Sequence, residues 1–400
     1  MRCDTAQDAT TRIRGGKVRR MAASRIFNFS AGPAILPPEV LERAAAAVLE
    51  LKTNAHADDG QGIGLSLLEI SHRSPEYESI HAAAIELVHE VLGIPRSCDV
   101  LLLQGGASLQ FAMIPLNFAR KGEAACYVDT GTWASNAIKE SKTVGELRGH
   151  ETAVIASSKA SNYDHIPTLP DRLPERTTYV HVTSNNTIYG TEYEQLPRFD
   201  APMIVDASSD IGSRPIGLER ATLGYAGAQK NLGPSGVTLV WFDREWAKQE
   251  IPAGVPIFLR YRTHVEKEGM FNTPNTFGAL VLKLTLEWVR QHGGVEGLAV
   301  RNQQKADALY QLLDASSLFA AHARPGSRSR MNVTWTLAGA PADQRETLTK
   351  RFVKEAEAAG FSGLKGHRSV GGCRASIYNA FPLAGVTALC EFMREFERTA

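Results

Sequence analysis

From about Asp99 the chain alternates short apolar runs with stretches of helical spacing. DVLLLQGG (99–106) sets four apolar residues before a Gly-Gly turn, the pattern of a buried strand, and ASLQFAMIPLNFA behind it has the spacing of a helix. EAACYVDTGTW (123–133) predicts a second strand and loop, and ASNAIKESKTVG a second helix. TTYVHVTSNN (177–186), APMIVDASSD (201–210) and GVTLVWFD (236–243) predict further strands. Strands alternating with helices predict an α/β fold, a large domain whose mostly parallel central sheet is flanked by helices. Beyond about Gly293 the pattern changes. VEGLAVRNQQKADALYQLLDA predicts a long helix, SRMNVTWTL a strand, DQRETLTKRFVKEAEAAG a helix and CRASIYNAF a strand, an order that fits a smaller C-terminal α+β domain. The expected limits are 47–292 for the large domain and 25–46 with 293–400 for the small one. The sequence holds no internal repeat and no low-complexity linker.

In open parallel sheets ligands collect at the carboxyl ends of the strands. The polar punctuation of this chain lies there: Gly105 to Ser108, Asp129 to Trp133, Asn185 to Thr187, Asp206 to Ser209, and Gln229-Lys230. Polar clusters after successive strand-like runs predict one shared pocket.

Composition narrows the picture. Of 400 residues, 43% are hydrophobic and 22% charged, an ordinary globular balance. A net charge of +1 offers no basic footprint for nucleic acid, and no apolar run reaches membrane-spanning length. The five cysteines are scattered and form no CxxC pair, so neither a metal site nor a disulfide framework is expected, and a reducing, cytoplasmic setting is. The basic stretch 1–24 lacks the apolar core of a secretory signal; it reads as a disordered leader or an over-long start, with Met21 a fresh beginning.

The chemistry centres on Lys230. In YAGAQKNLGPSG (225–236) it sits among small residues, in a loop between two strand-like runs. A lysine desolvated in that way is depressed in pKa and becomes a nucleophile toward carbonyls. Taken alone it is more often a solvated or ion-paired lysine. Asp206 closes the apolar strand MIVDASS, where a carboxylate can pair with a protonated pyridine nitrogen or make local turn bonds to Ser208 and Ser209. Gly105-Gly106 opens a helix, so N–H groups near Ala107 and Ser108 can hold a phosphate; the alternative is a plain tight turn. Neither a P-loop nor GxGxxG is present. Trp133 could stack on a flat ring or serve as a core anchor, and Thr187 could bond a ring hydroxyl or shape its turn. His72-Arg73 and His367-Arg368 with Arg374 form two basic clusters, solvated by default, that together could clamp a doubly anionic substrate.

These residues, with FNFSAGPA, EISHRS, YVDTGTW, VDASSDI, FNTPNTF and GHRSVGGCRASIYNA, resemble the phosphoserine aminotransferases, a family within class V of the fold-type I pyridoxal-phosphate enzymes. The resemblance runs from about Phe27 to the C-terminus. It implies that Lys230 carries pyridoxal 5′-phosphate and moves the proton at the substrate's α carbon, Asp206 pairs with the pyridine nitrogen, Trp133 stacks on the ring and Thr187 bonds its phenolic oxygen. Ala107, Ser108 and Gln229 would hold the cofactor phosphate. It further implies a homodimer in which Asn272 and Thr273 complete the neighbour's cofactor site. His72, Arg73, His367, Arg368 and Arg374 would bind the phosphate and carboxylate of the substrate. Ser108 stands where some relatives carry an arginine, which moves that task onto His72, His367 and Arg368, and Cys373 has no role in this scheme.

The implied reaction is ping-pong transamination between glutamate and 3-phosphohydroxypyruvate, giving phosphoserine and 2-oxoglutarate. The longer phosphorylated hydroxythreonine of vitamin B6 synthesis is left open, since the sequence does not fix pocket length. Within class V a glyoxylate aminotransferase is the competing reading. A cysteine desulfurase would place His where Gln229 stands. A binding protein that had lost the chemistry would have no use for Lys230, Asp206 and Trp133 together.

Overall fold

The computed structural model describes residues 26–52 and 60–400; the leader 1–24 lies outside them. Seven strands form the central sheet in the order Cys98–Leu103, Thr238–Asp243, Leu223–Gly227, Met203–Asp206, Thr177–Thr183, Ala124–Asp129, Glu151–Ser157. Neighbours from Leu223–Gly227 to Glu151–Ser157 pair in parallel. Thr238–Asp243 runs antiparallel to both its neighbours, which leaves the sheet mostly parallel. The four internal parallel strands are almost wholly buried, as a sheet covered on both faces requires.

One face is covered by the helices Gly106–Phe118 and Thr132–Arg148. Phe111, Met113, Ile114 and Phe118 of the first pack with Tyr127, Tyr179 and Tyr225 of the sheet; each such burial stabilises by roughly 1.5–3 kcal/mol. The opposite face carries the helices Pro75–Leu92 and Thr276–Gln291. Helix Pro38–Leu49 joins them: Val40, Ala44 and Ala47 lie in that same core, and Arg43 reaches Glu287 at 2.9 Å. The expected boundary at 46/47 therefore falls inside a helix whose apolar stripe belongs to the large core.

A second core is built around an antiparallel sheet of Ala320–Ala321, Asn332–Thr336 and Cys373–Ser376, with Trp335, Phe352, Phe361 and Met393 at its centre. Phe29 belongs to this core, because Phe27–Asn28 pairs in parallel with Phe361–Ser362. Helix Gly294–Ala315 spans both cores, Val295 and Leu298 in one, Leu309 and Leu313 in the other. Among the described residues no helix is long and apolar enough to cross a membrane.

Candidate active site

Each parallel strand delivers a polar residue where its apolar run ends, and these ends converge. Leu223–Gly227 runs into Ala228-Gln229-Lys230, and the Lys230 side chain is only 8% exposed. Its Nζ donates a 2.7 Å hydrogen bond to Oγ1 of Thr187, which lies beyond the strand Thr177–Thr183. Nζ also lies 5.8 Å from the ring centroid of Trp133, in the first turn of Thr132–Arg148. The segment before helix Pro38–Leu49 closes over this loop: Ala34 N–H donates to the Gln229 carbonyl at 2.9 Å, and Gly32 lies against the stems of Gln229 and Lys230.

Electrostatically the pocket is short of counter-charge. Burial pushes the Lys230 ammonium down to about 8, against the pull of Asp206 and with the help of Arg374. Burial likewise raises Asp206 above the ordinary carboxylate range, although Ser208, Lys230 and Tyr225 act to lower it. Ser208 N–H donates to Asp206 Oδ1 at 3.0 Å and fixes the carboxylate's direction. Desolvation thus outweighs their mutual attraction, and each group is driven toward its neutral form.

Ala107 and Ser108 sit in the first turn of Gly106–Phe118, where Gly105 and Gly106 have φ of 94° and 68°. Both values lie in the left-handed region, so glycine lets the chain turn from strand to helix without strain. No side chain caps this helix, and its first N–H groups can receive an anion. Arg374, on the strand Cys373–Ser376 of the smaller sheet, donates from Nη1 to the Thr187 carbonyl at 3.4 Å, while its Nε is buried without a partner. Burial lowers the guanidinium's affinity for its proton. His367 is lowered by burial and then by Arg374 and Arg368, so these three basic groups share one neighbourhood.

Two sets of expected residues are not joined to this pocket within the chain. His72 and Arg73 lie in the turn before helix Pro75–Leu92, where Arg73 is exposed and its N–H donates to Ser71 Oγ at 3.1 Å. Asn272 and Thr273 pack against the end of strand Cys98–Leu103: Asn272 Nδ2 donates to Gln104 Oε1 at 3.1 Å, and Gln104 Nε2 to the Thr273 carbonyl at 3.3 Å. Cys373 is fully buried and its thiol is pushed up to about 12, so it points away from chemistry.

The Aminotransferase class-V family profile matches residues 26–389. The chain belongs to the class-V aminotransferases. It is 50% identical over 376 residues to the phosphoserine aminotransferase of Geobacillus kaustophilus, covering 94% of this chain and 99% of that one. The solved structure of phosphoserine aminotransferase from Bacillus circulans subsp. alkalophilus superposes with a TM-score of 0.86 at 45% identity, over 94% of this chain and 99% of that chain. A pyridoxal-phosphate-bound phosphoserine aminotransferase from Trichomonas vaginalis superposes with a TM-score of 0.85 at 34% identity, over 92% and 100%.

Against this class-V frame the pocket fits pyridoxal phosphate. The uncapped helix N-terminus suits its phosphate, the buried amine its aldehyde, and the carboxylate short of a cation its protonated ring nitrogen. Sequence reasoning passed over two side chains at this site, Tyr225 and Asp210. The Tyr225 hydroxyl, on the strand beside Asp206, pairs with His181 Nε2 at 2.8 Å, while Ser208, the expected turn partner of Asp206, also accepts the N–H of Gly227 at its Oγ, 3.1 Å. Asp210 is pushed up to about 7 by burial and accepts from Ser184. Tyr225 left a trace in the sequence: it is the one large polar side chain inside LGYAG.

Proposed function

We propose that the pocket around Lys230 performs transamination between L-glutamate and 3-phosphohydroxypyruvate with pyridoxal 5′-phosphate as cofactor, yielding 2-oxoglutarate and O-phospho-L-serine. When bound, pyridoxal phosphate supplies an aldehyde that condenses with amines and a conjugated ring that takes up the electrons released at the α carbon. The chain's own groups do the rest. Lys230 would hold the cofactor, and its amine, once released, would take and return the proton at the substrate's α carbon. With its ammonium at about 8, roughly a quarter of the amine is free base near pH 7.5, against about a thousandth for a lysine at its usual value.

Thr187 would bond the ring's phenolic oxygen, Trp133 would stack on the ring, and Asp206 would pair with the protonated ring nitrogen. Ala107, Ser108 and Gln229 would hold the cofactor phosphate. Arg374, His367 and Arg368 bind the carboxylate and phosphate of the substrate, together with His72 and Arg73. A second copy of the chain completes the site through its own Asn272 and Thr273; these residues lie beside Gln104, next to the phosphate-binding turn yet bonded to no residue of the Lys230 pocket. That exposed placement supports a homodimer.

The observation that carries the reading is the buried Lys230 amine, hydrogen-bonded to Thr187, whose pKa burial lowers despite the pull of Asp206. The test is a single half-reaction. Cofactor-loaded protein is mixed separately with L-phosphoserine, L-serine and L-alanine, and loss of the lysine-bound cofactor's visible absorbance is followed. Rapid loss with phosphoserine alone is expected. Loss with serine or alanine, and none with phosphoserine, replaces this reading with a glyoxylate-type aminotransferase.

A further inference from the structure

The smaller sheet has one apolar and one polar face. Val333, Trp335, Cys373 and Ala375 belong to the second core. Side chains alternate along a strand, so Asn332, Thr334, Arg374 and Ser376 share the other face. Asn332, Thr334 and Ser376 are at most 2% exposed, and buried polar groups need partners. Three of the four residues find one in the segment Asn185 to Ile188, which carries Thr187. Asn185 Nδ2 donates to Asn332 Oδ1 at 2.8 Å, Thr334 Oγ1 to the Ile188 carbonyl at 3.2 Å, and Arg374 Nη1 to the Thr187 carbonyl at 3.4 Å.

Asn332 also reaches the opposite side of the pocket. Its Nδ2 donates to Ser376 Oγ at 2.9 Å and to the Tyr378 hydroxyl at 3.1 Å, which uses both amide protons. Having accepted there, the Tyr378 hydroxyl donates to the Ala31 carbonyl at 2.8 Å. Ala31 opens the segment that closes over the lysine loop: Ala34 N–H meets the Gln229 carbonyl, and a Cβ at Gly32 would lie 3.5 Å from Cγ of both Gln229 and Lys230. Gly32 and Pro33 are exposed, so this segment is the outer wall of the pocket. The Tyr378 backbone is held independently of its hydroxyl, because Lys305 Nζ donates to the carbonyls of Ile377 and Tyr378 at 2.8 and 2.7 Å.

We propose that Asn332 and Tyr378 are positioning residues that hold two walls of the Lys230 pocket at a fixed spacing, the Thr187 segment through Asn185 and the Ala31–Ala34 segment through the Ala31 carbonyl. This rests on the reading of Lys230 given above. One amide and one hydroxyl thereby keep the acceptor of the amine on one side and its cover against water on the other.

The test compares wild type, Tyr378→Phe, Asn332→Leu and Ser376→Ala. Ser376→Ala removes one buried bond of the same network without touching either wall, so it sets the size of a purely structural effect. Two quantities are read beside thermal stability: the pH midpoint of acylation at Lys230 in the full-length chain stripped of cofactor, and kcat with KM for phosphoserine in the holoenzyme. In Tyr378→Phe the outer wall loses its tether and water reaches the amine, so the midpoint is expected to rise by about one pH unit. The charged groups around the amine, Asp206, Arg374 and Asp210, are untouched by this substitution. The phenol removed is pushed up to about 12 by burial, so no charge is lost near pH 8. Its kcat is expected to fall about tenfold or more, the effect of a misplaced reacting group, while KM stays near the wild-type value because Arg374, His367 and Arg368 remain. Asn332→Leu is expected to raise KM as well, since the Thr187 carbonyl is the partner of Arg374. Tyr378→Phe keeps the volume of the site and folds even where Asn332→Leu does not. With wild-type protein whose cofactor borohydride fixes to Lys230, a Tyr378→Phe midpoint or kcat that matches Ser376→Ala overturns the positioning role alone. Wild-type protein that fixes no cofactor on Lys230 overturns this role together with the reading it rests on.

Discussion

Lys230 donates a 2.7 Å hydrogen bond to Thr187, 43 residues earlier in the chain and two strands away in the sheet. The bond fixes the direction of an amine that burial has already made easy to deprotonate. The Thr187 carbonyl accepts from Arg374 on the other sheet, so one residue ties the amine to the clamp.

Lys230→Ala is expected to fold normally and lose turnover by at least about 10³-fold, since it removes the group that moves the proton. Steady-state transamination and borohydride reduction followed by peptide mapping check this. Turnover near that of the wild type rules out the proposed role of Lys230.

Lys230 also predicts a pH signature in the apoprotein. Its proton leaves at about 8 in the folded chain and at 10.5 when unfolded. Between those values the unfolded chain holds the extra proton, so the lysine's contribution to stability rises with pH. The apoprotein of Lys230→Met lacks that rise. Urea unfolding should show the stability difference between variant and wild type changing in favour of wild type by about 3 kcal/mol from pH 8 to pH 10.5. A difference that is flat across this window contradicts a depressed amine.

Thr187→Val keeps the shape of the side chain and removes the acceptor that favours the charged amine. The apoprotein's Lys230 should then lose its proton at a lower pH than in wild type. The pH dependence of acylation at Lys230, read by mass spectrometry, measures the shift; a midpoint that stays or rises counts against the bond.

Arg374→Lys retains a positive charge but loses the planar fork. KM for phosphoserine should rise about 10- to 100-fold, the range for a lost charge-assisted hydrogen bond, with a smaller effect on kcat. An unchanged KM places the substrate's anionic groups elsewhere.

Cys373 separates this enzyme from one using a cysteine nucleophile. With its thiol buried and pushed up to about 12, little thiolate exists near neutrality. Iodoacetamide at pH 8 should leave Cys373 unlabelled in the native protein and label it after unfolding. Rapid native labelling with loss of activity reverses this view.

The sequence by itself determined the elements and much of the chemistry. Buried strands ending in polar clusters were legible at 99–106, 123–133, 177–186 and 201–210, because a strand covered on both faces must be apolar until it reaches the ligand edge. Lys230, Asp206, Trp133 and Thr187 were legible for the same reason, and the structure brings them together. Other elements were muted. Glu151–Ser157 lies at the sheet edge and shows no clean alternation of burial, so its pattern was missed. The reversed direction of Thr238–Asp243 left no mark, since an apolar run reads alike either way.

Tertiary structure alone decided the rest. Helix Pro38–Leu49 joins the large core because Val40, Ala44 and Ala47 find their apolar partners there. Arg73 is exposed in the turn before helix Pro75–Leu92, with its N–H bonded to Ser71 Oγ, a placement that motif matching does not carry. The pairing of Tyr225 with His181 beside Asp206 depends on the register of parallel strands far apart in sequence. Composition and periodicity say which residues are buried; the pairing of strands says which buried polar groups meet.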